Sequence, residues 1–147
     1  MGKYQTATDV GAPSRILLVS VVTPEATLLE TPAQFVALPL YDGELGILPG
    51  RSPFIGRLGY GELRVVEGEK TRRYYLDGGF VQVAKNVVSI LTNNAVPAEN
   101  LDATAANDEL AAARARKANT PELLEIRQRA QLQARAKIRV AERRLAR

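Results

Sequence analysis

The chain has eleven glycines, and none lies beyond Pro97. Glycine supplies the positive φ angles of tight turns, and it weakens a helix interior by roughly 1 kcal/mol relative to alanine. A chain that confines glycine to its first two thirds has a turn-rich part and a turn-poor part, which fold by different rules. The boundary is Asn93-Asn94-Ala95-Val96-Pro97.

Before that boundary, short apolar or alternating runs are separated by turn residues. Residues 16–23 are nearly all apolar and stop at Pro24. Residues 26–29 and 34–38 follow, parted by Thr31-Pro32. Glu62-Leu63-Arg64-Val65 alternates polar and apolar, as a half-buried strand does. Glu67-Gly68-Glu69-Lys70 and Ala84-Lys85-Asn86 read as hairpin turns. Gly78-Gly79 reads as another tight turn, because a phosphate-binding loop needs a longer glycine pattern ending in lysine before a helix. The spacing predicts about nine or ten short strands in a sandwich or flattened barrel.

After the boundary, alanine, arginine, leucine and glutamate dominate, all strong helix formers. A first helix is predicted over 101–117, with Ala103, Ala106, Leu110 and Ala113 on one stripe. Asn119-Thr120-Pro121 interrupts it; Thr120 suits a cap and Pro121 the first position of a second helix. The stripe of that helix is Leu123, Ile126, Ala130, Ala134, Ile138, Ala141 and Leu145. So short a break favours an antiparallel hairpin. The predicted fold is therefore α+β: a flexible arm over 1–14, a β-sandwich over 15–97 and a two-helix hairpin over 98–147.

Two absences narrow the chemistry. The chain has no cysteine, hence no disulfide, thiol nucleophile or thiolate metal site. It has no histidine, the usual proton-transfer group near neutral pH and the commonest metal ligand. No apolar run approaches the ~20 residues of a membrane helix. Charge divides as sharply as glycine does. Nine basic and nine acidic residues balance up to Pro97, whereas eleven basic face seven acidic after it. Arg127, Arg129, Arg135, Lys137, Arg139, Arg143, Arg144 and Arg147 crowd the end, against Glu142 alone. Such a helix can be a solvated face, bind nucleic acid through phosphates or lie on anionic lipid. The tail lacks aromatics for base stacking and bulky apolar anchors for lipid. A basic-tailed nucleic-acid-binding β-domain and an enzyme using Asp42, Glu44 or Asp77 are the rival readings.

Asp42-Gly43-Glu44-Leu45-Gly46-Ile47-Leu48-Pro49-Gly50 mixes three glycines and a proline with apolar residues, as a strand with tight turns at both ends does. With Tyr74-Tyr75-Leu76-Asp77-Gly78-Gly79-Phe80-Val81-Gln82-Val83 and Val87-Val88-Ser89-Ile90-Leu91, it resembles the epsilon subunit of the F-type ATP synthase, which mitochondrial naming calls delta. The resemblance implies a non-catalytic rotor subunit without a cofactor of its own. Its expected partners are the gamma subunit, the membrane ring of c subunits and an acidic segment of the catalytic alpha/beta head. It would sit peripherally on the cytoplasmic face of a bacterial inner membrane, associating with the membrane only through the complex. Asp42, Glu44 and Arg51 (commonly histidine in that family) would touch the ring. The basic helix would inhibit ATP hydrolysis. The family's ATP motif is degenerate here: Leu101, Asp102 and Ala106 remain, but Ala105 replaces the arginine that would pair with phosphate.

Overall fold

The computed structural model describes the backbone of residues 15–145 and the side chains of 15–143. The expected arm over 1–14, Arg147, and the side chains of Arg144 and Leu145 lie outside them. Eight strands come first along the described chain: β1 (Leu17–Val22), β2 (Thr27–Ala33), β3 (Phe35–Leu40), β4 (Gly43–Ile47), β5 (Phe54–Glu67), β6 (Lys70–Ala84), β7 (Val87–Leu91) and β8 (Ala95–Pro97). A 3-10 turn at Ala98–Asn100 leads to α1 (Ala103–Ala115) and α2 (Pro121–Leu145). The fold is α+β as predicted, a β-domain followed by a helical hairpin.

The strands pair in the order β2-β1-β7-β6-β5-β3-β4, with β8 joined to β6. Among the described residues only β1 and β7 run parallel; every other pair is antiparallel. The core is aliphatic. Leu17, Val19, Val21, Val36, Leu38, Leu63, Val65, Leu76, Val81, Val88 and Ile90 are fully buried in one cluster.

The strand count is close to the expected ten, and two long strands account for the difference. β5 and β6 pair along their whole length, from Phe54↔Val83 to Glu67↔Lys70. Midway, the inward side switches phase in both. On β5, Leu58 is buried before the switch, and Leu63 and Val65 after it. On β6, Leu76 is buried before it, and Val81 and Val83 after. The switch falls at Gly59 to Gly61 on one strand and Gly78-Gly79 on the other, where Leu58 faces Gly79 and Tyr60 faces Asp77. Beyond it each half has its own neighbour: β8 pairs with Tyr74, Tyr75 and Leu76, β7 with the stretch from Phe80 to Ala84.

Gly78-Gly79 is thus not a turn between strands but a kink inside one. Both residues hold positive φ, +76° and +113°. The Thr92 hydroxyl donates to the Gly78 carbonyl at 2.6 Å, which ties the kink to the end of β7. A Cβ on Gly79 would lie 2.0 Å from the Leu91 carbonyl oxygen, an impossible contact.

The hairpin forms for local reasons. The Asp102 carboxylate accepts the Thr104 N–H at 2.9 Å and caps α1. Thr120 Oγ1 accepts the Leu123 N–H at 3.1 Å and caps α2, whose first residue is Pro121. Ala106, Leu110 and Ala113 of α1 are buried, as are Ala134 and Ala141 of α2. The predicted α2 stripe is not sealed throughout. Leu123 and Ile126 are 39% and 43% exposed, because the last turns of α1 carry only alanine and arginine there, too little to cover them. A second buried stripe, Ala136 and Val140, was not predicted; it packs on the sheet.

Gly79→Ala should lower stability by more than about 3 kcal/mol or prevent folding, through clash and strain together. Gly68→Ala, at φ +65° with no atom within 4 Å, should cost only about 1–2 kcal/mol. Urea unfolding of the two variants checks the difference.

Candidate functional site

The outward side chains of the β5–β6 ladder form two surfaces, one on each side of the kink. On the first, α2 lies over the sheet. Tyr75 is fully buried there beneath Ala136 and Val140, with Ala98, Tyr60, Val96 and Leu101 around it. Its hydroxyl donates to Asp77 Oδ1 at 3.2 Å. Burial, and then the adjacent Asp77 carboxylate, push the phenol's ionisation well above the ordinary tyrosine range. The Gln133 amide of α2 donates to the same Asp77 oxygen at 2.9 Å. Lys137 sits 5.6 Å from the Tyr75 ring centre and 3.3 Å from the Glu109 carboxylate of α1.

Glu62, two residues beyond Tyr60 on β5, is the most enclosed charge of this surface, its side chain 3% exposed. Three guanidiniums converge on it. Arg73 of β6 donates at 3.1 Å and Arg64 of β5 lies at 3.9 Å. Arg143 of α2 donates to the other carboxylate oxygen. A single buried carboxylate thereby joins both long strands to the end of the last helix. Nothing local in the sequence marks Glu62; it looks like any polar position of an alternating strand.

The basic helix is therefore not one free face. Arg143 and Lys137 are tied to this chain, and the Arg127 guanidinium reaches the Arg116 carbonyl at 3.5 Å. Arg129, Arg135 and Arg139 are exposed and form no ion pair among the described residues.

On the second surface the sheet is bare. Ile55 and Arg57 on β5, Phe80 and Gln82 on β6, and Leu91 on β7 are cross-strand neighbours that point the same way. Ile55, Phe80 and Leu91 are 75%, 59% and 54% exposed. Arg57 stacks over the exposed Tyr41 ring at 4.3 Å. An open hollow of about 820 Å³ lies between Phe80, Leu91 and the β1–β2 corner at Val22, Thr23 and Pro24. This apolar patch was also missed: Phe80 read as ordinary strand interior, and Ile55 fell outside the predicted strands.

The remaining sequence candidates occupy other places. Asp42 lies in the exposed β3–β4 turn, and Glu44 on β4 pairs with Arg64 at 3.6 Å. Arg51 lies past the far end of β4, its guanidinium 5.3 Å from the Phe54 ring centre. Only Glu44 lies on the edge strand; Asp42 and Arg51 sit at its two ends, so the three do not share one loop. The groove that Glu44 lines contains Glu62 and Arg139 but neither Asp42 nor Asp77, so it does not assemble the carboxylates of the enzyme reading. Ala105 is exposed and Ala106 buried at the start of α1, beyond the Asp102 cap. No helix among the described residues is long and apolar enough to cross a membrane.

Residues 16–98 match the family model for the β-sandwich domain of the ATP synthase delta/epsilon chain. The chain belongs to the ATP synthase delta/epsilon family. An ATP synthase epsilon chain of Rhodopirellula baltica is 48% identical over 82% of this chain and 94% of its own length. One from Leptospira borgpetersenii is 38% identical over 65% and 75%. Among solved structures, a chain of the Euglena gracilis mitochondrial ATP synthase (OSCP/F1/c-ring) superposes with TM-score 0.78 and 26% identity, covering 92% of this chain and 85% of that one. A chain from the central stalk and c-ring of the Tetrahymena thermophila enzyme has the same fold, at TM-score 0.69, 13% identity and coverage of 88% and 99%.

In this epsilon-family chain the buried phenol sets a pH dependence. The folded state holds the Tyr75 proton more tightly than the unfolded chain does. Its contribution is complete below about pH 10, the ordinary tyrosine value, and declines as pH rises further. Wild type should therefore lose stability relative to Tyr75→Phe above about pH 10. Chemical denaturation at stepped alkaline pH measures the gap, and parallel curves would show that Tyr75 is not the group responsible.

Proposed function

We propose that this chain is a non-catalytic central-stalk subunit of a proton-translocating F-type ATP synthase, linking the gamma subunit to the membrane ring of c subunits. The observation that carries the reading is the bare apolar sheet surface around Ile55, Phe80 and Leu91, beside a sandwich whose other outward surface is already covered by its own hairpin. Monomeric proteins rarely leave such contiguous apolar area in water. Gamma is the partner assigned to it. The ring contact is assigned to the β4 edge, along Asp42, Glu44 and the Leu48-to-Arg51 corner, where Leu48 is 61% exposed. ATP and ADP react in other subunits, and association with the membrane runs through the complex, on the cytoplasmic face of a bacterial inner membrane.

The hairpin is the regulatory part. α2 has 25 residues, roughly 38 Å at 1.5 Å per residue, enough to reach from a docked sandwich into the catalytic head. There its arginines would meet an acidic segment and oppose rotation in the hydrolytic direction. With Ala105 in place of arginine, ATP binds this subunit weakly or not at all.

Two measurements test the assignment. Ile55→Glu combined with Phe80→Glu should abolish co-purification with gamma while leaving the sandwich folded, since both side chains point to solvent; retained co-purification would place gamma elsewhere. Removing residues 121–147, or replacing Arg135 and Arg139 with alanine, should raise ATP hydrolysis by the assembled complex. Each exposed ion pair is worth about 0–1 kcal/mol, so the double substitution should give up to about a thirtyfold rise. Unchanged hydrolysis would remove the brake and leave the rotor role standing.

A further inference from the structure

Each acidic anchor that holds α2 to the sandwich also has a partner on the sandwich itself. Glu62 takes Arg143 from α2, but it also has Arg73 at 3.1 Å and Arg64 at 3.9 Å, both on the sheet. Asp77 takes Gln133 from α2, but it also has the Tyr75 hydroxyl at 3.2 Å. This duplication decides what undocking involves. Stripping a buried carboxylate of its only cation strongly destabilises a fold. If α2 lifts, Glu62 still faces two guanidiniums and Asp77 still accepts a hydrogen bond. On the helix side, the Arg143 side chain is already 47% exposed and passes into water readily. The apolar part of the seam is small, Ala136 and Val140 over Tyr75. The helix is thus held by contacts whose loss still leaves each of the two carboxylates a partner on the sheet.

We propose that Glu62, supported by Asp77, is the fixed half of a reversible latch whose moving half is Arg143, supported by Gln133, and that this latch holds the hairpin down without any nucleotide. The inference rests on the reading that the hairpin moves, and deepens it. Arg143 belongs to the same basic face that would grip an acidic partner. While it pairs with Glu62 it is withheld from that partner, so an acidic segment elsewhere competes with Glu62 for one guanidinium. The docked and engaged states then exclude each other through a shared residue, and no separate signal is needed to couple them.

The chain's lack of cysteine makes a direct test available. Ala136→Cys places a thiol in the seam, at a position 1% exposed. In the full-length protein its rate of reaction with a thiol reagent tracks the undocked population when closing is faster than labelling. Val19→Cys, in the sandwich core, reports unfolding of the sandwich in the same way. On the seam background, Glu62→Gln and Arg143→Gln should each speed labelling about fivefold, the equivalent of about 1 kcal/mol. The two together should do little more than either alone, since they remove one interaction. The core thiol should react no faster in either variant. Unchanged labelling at position 136 in both variants overturns the latch, as does a rise matched at position 19 in both. If the seam opens in Glu62→Gln while hydrolysis by the complex carrying it is unaltered, the latch stands and the brake falls.

Discussion

The β5–β6 ladder is the interaction on which the rest depends. Two strands of fourteen and fifteen residues stay paired from end to end while their inward faces change phase midway. Only glycine tolerates the backbone needed at that point, and the Leu91 carbonyl occupies the space where a side chain on Gly79 would begin. Because the ladder survives its own kink, one pair of strands serves two regions. One half takes β7 and through it β1 and β2; the other takes β8 and leads into the helices.

The kink also distributes function. Outward residues before it on β6 and after it on β5 (Tyr75, Asp77, Tyr60, Glu62) face the hairpin. Outward residues on the other two halves (Ile55, Arg57, Phe80) face water. The same ladder thus offers a surface covered by the chain's own helix and a surface left bare. A covalently attached helix that pairs with the first raises its local concentration there without needing strong contacts. That explains why the seam contains alanine and valine over one aromatic ring, rather than a thick leucine interface.

The placement of charge follows a similar economy. Three of the six ion pairs among the described residues lie between partly exposed groups, where each contributes about 0–1 kcal/mol. Glu62 is the exception, enclosed by three guanidiniums from three elements. It sets the last helix against both long strands at one charged point. Lys137 reinforces that setting by bridging both of its neighbours, the Glu109 carboxylate on α1 and the Tyr75 ring on β6.

The division into a sheet and a helical hairpin was legible in the chain because it is written locally. No glycine follows Pro97, alternation gives way to a period near four, and Asp102, Thr120 and Pro121 start helices through neighbours a few residues away. The family likeness was legible in the same way, in contiguous motifs. What local pattern could not show was anything made by residues distant in sequence. Gly78-Gly79 reads as a turn because the chain alone cannot reveal that the ladder continues through it. Leu123 and Ile126 read as buried because periodicity identifies a stripe but not whether a facing side chain is large enough to cover it. Arg143 reads as one more solvated cation, and Glu62 as an ordinary strand position. Their pairing across eighty-one residues exists only once the helix has been laid on the sheet. The sequence by itself determined which segments become strand or helix, since those choices depend on nearest neighbours. Tertiary structure decided which of their faces are covered and which charges are held, because burial belongs to the whole fold.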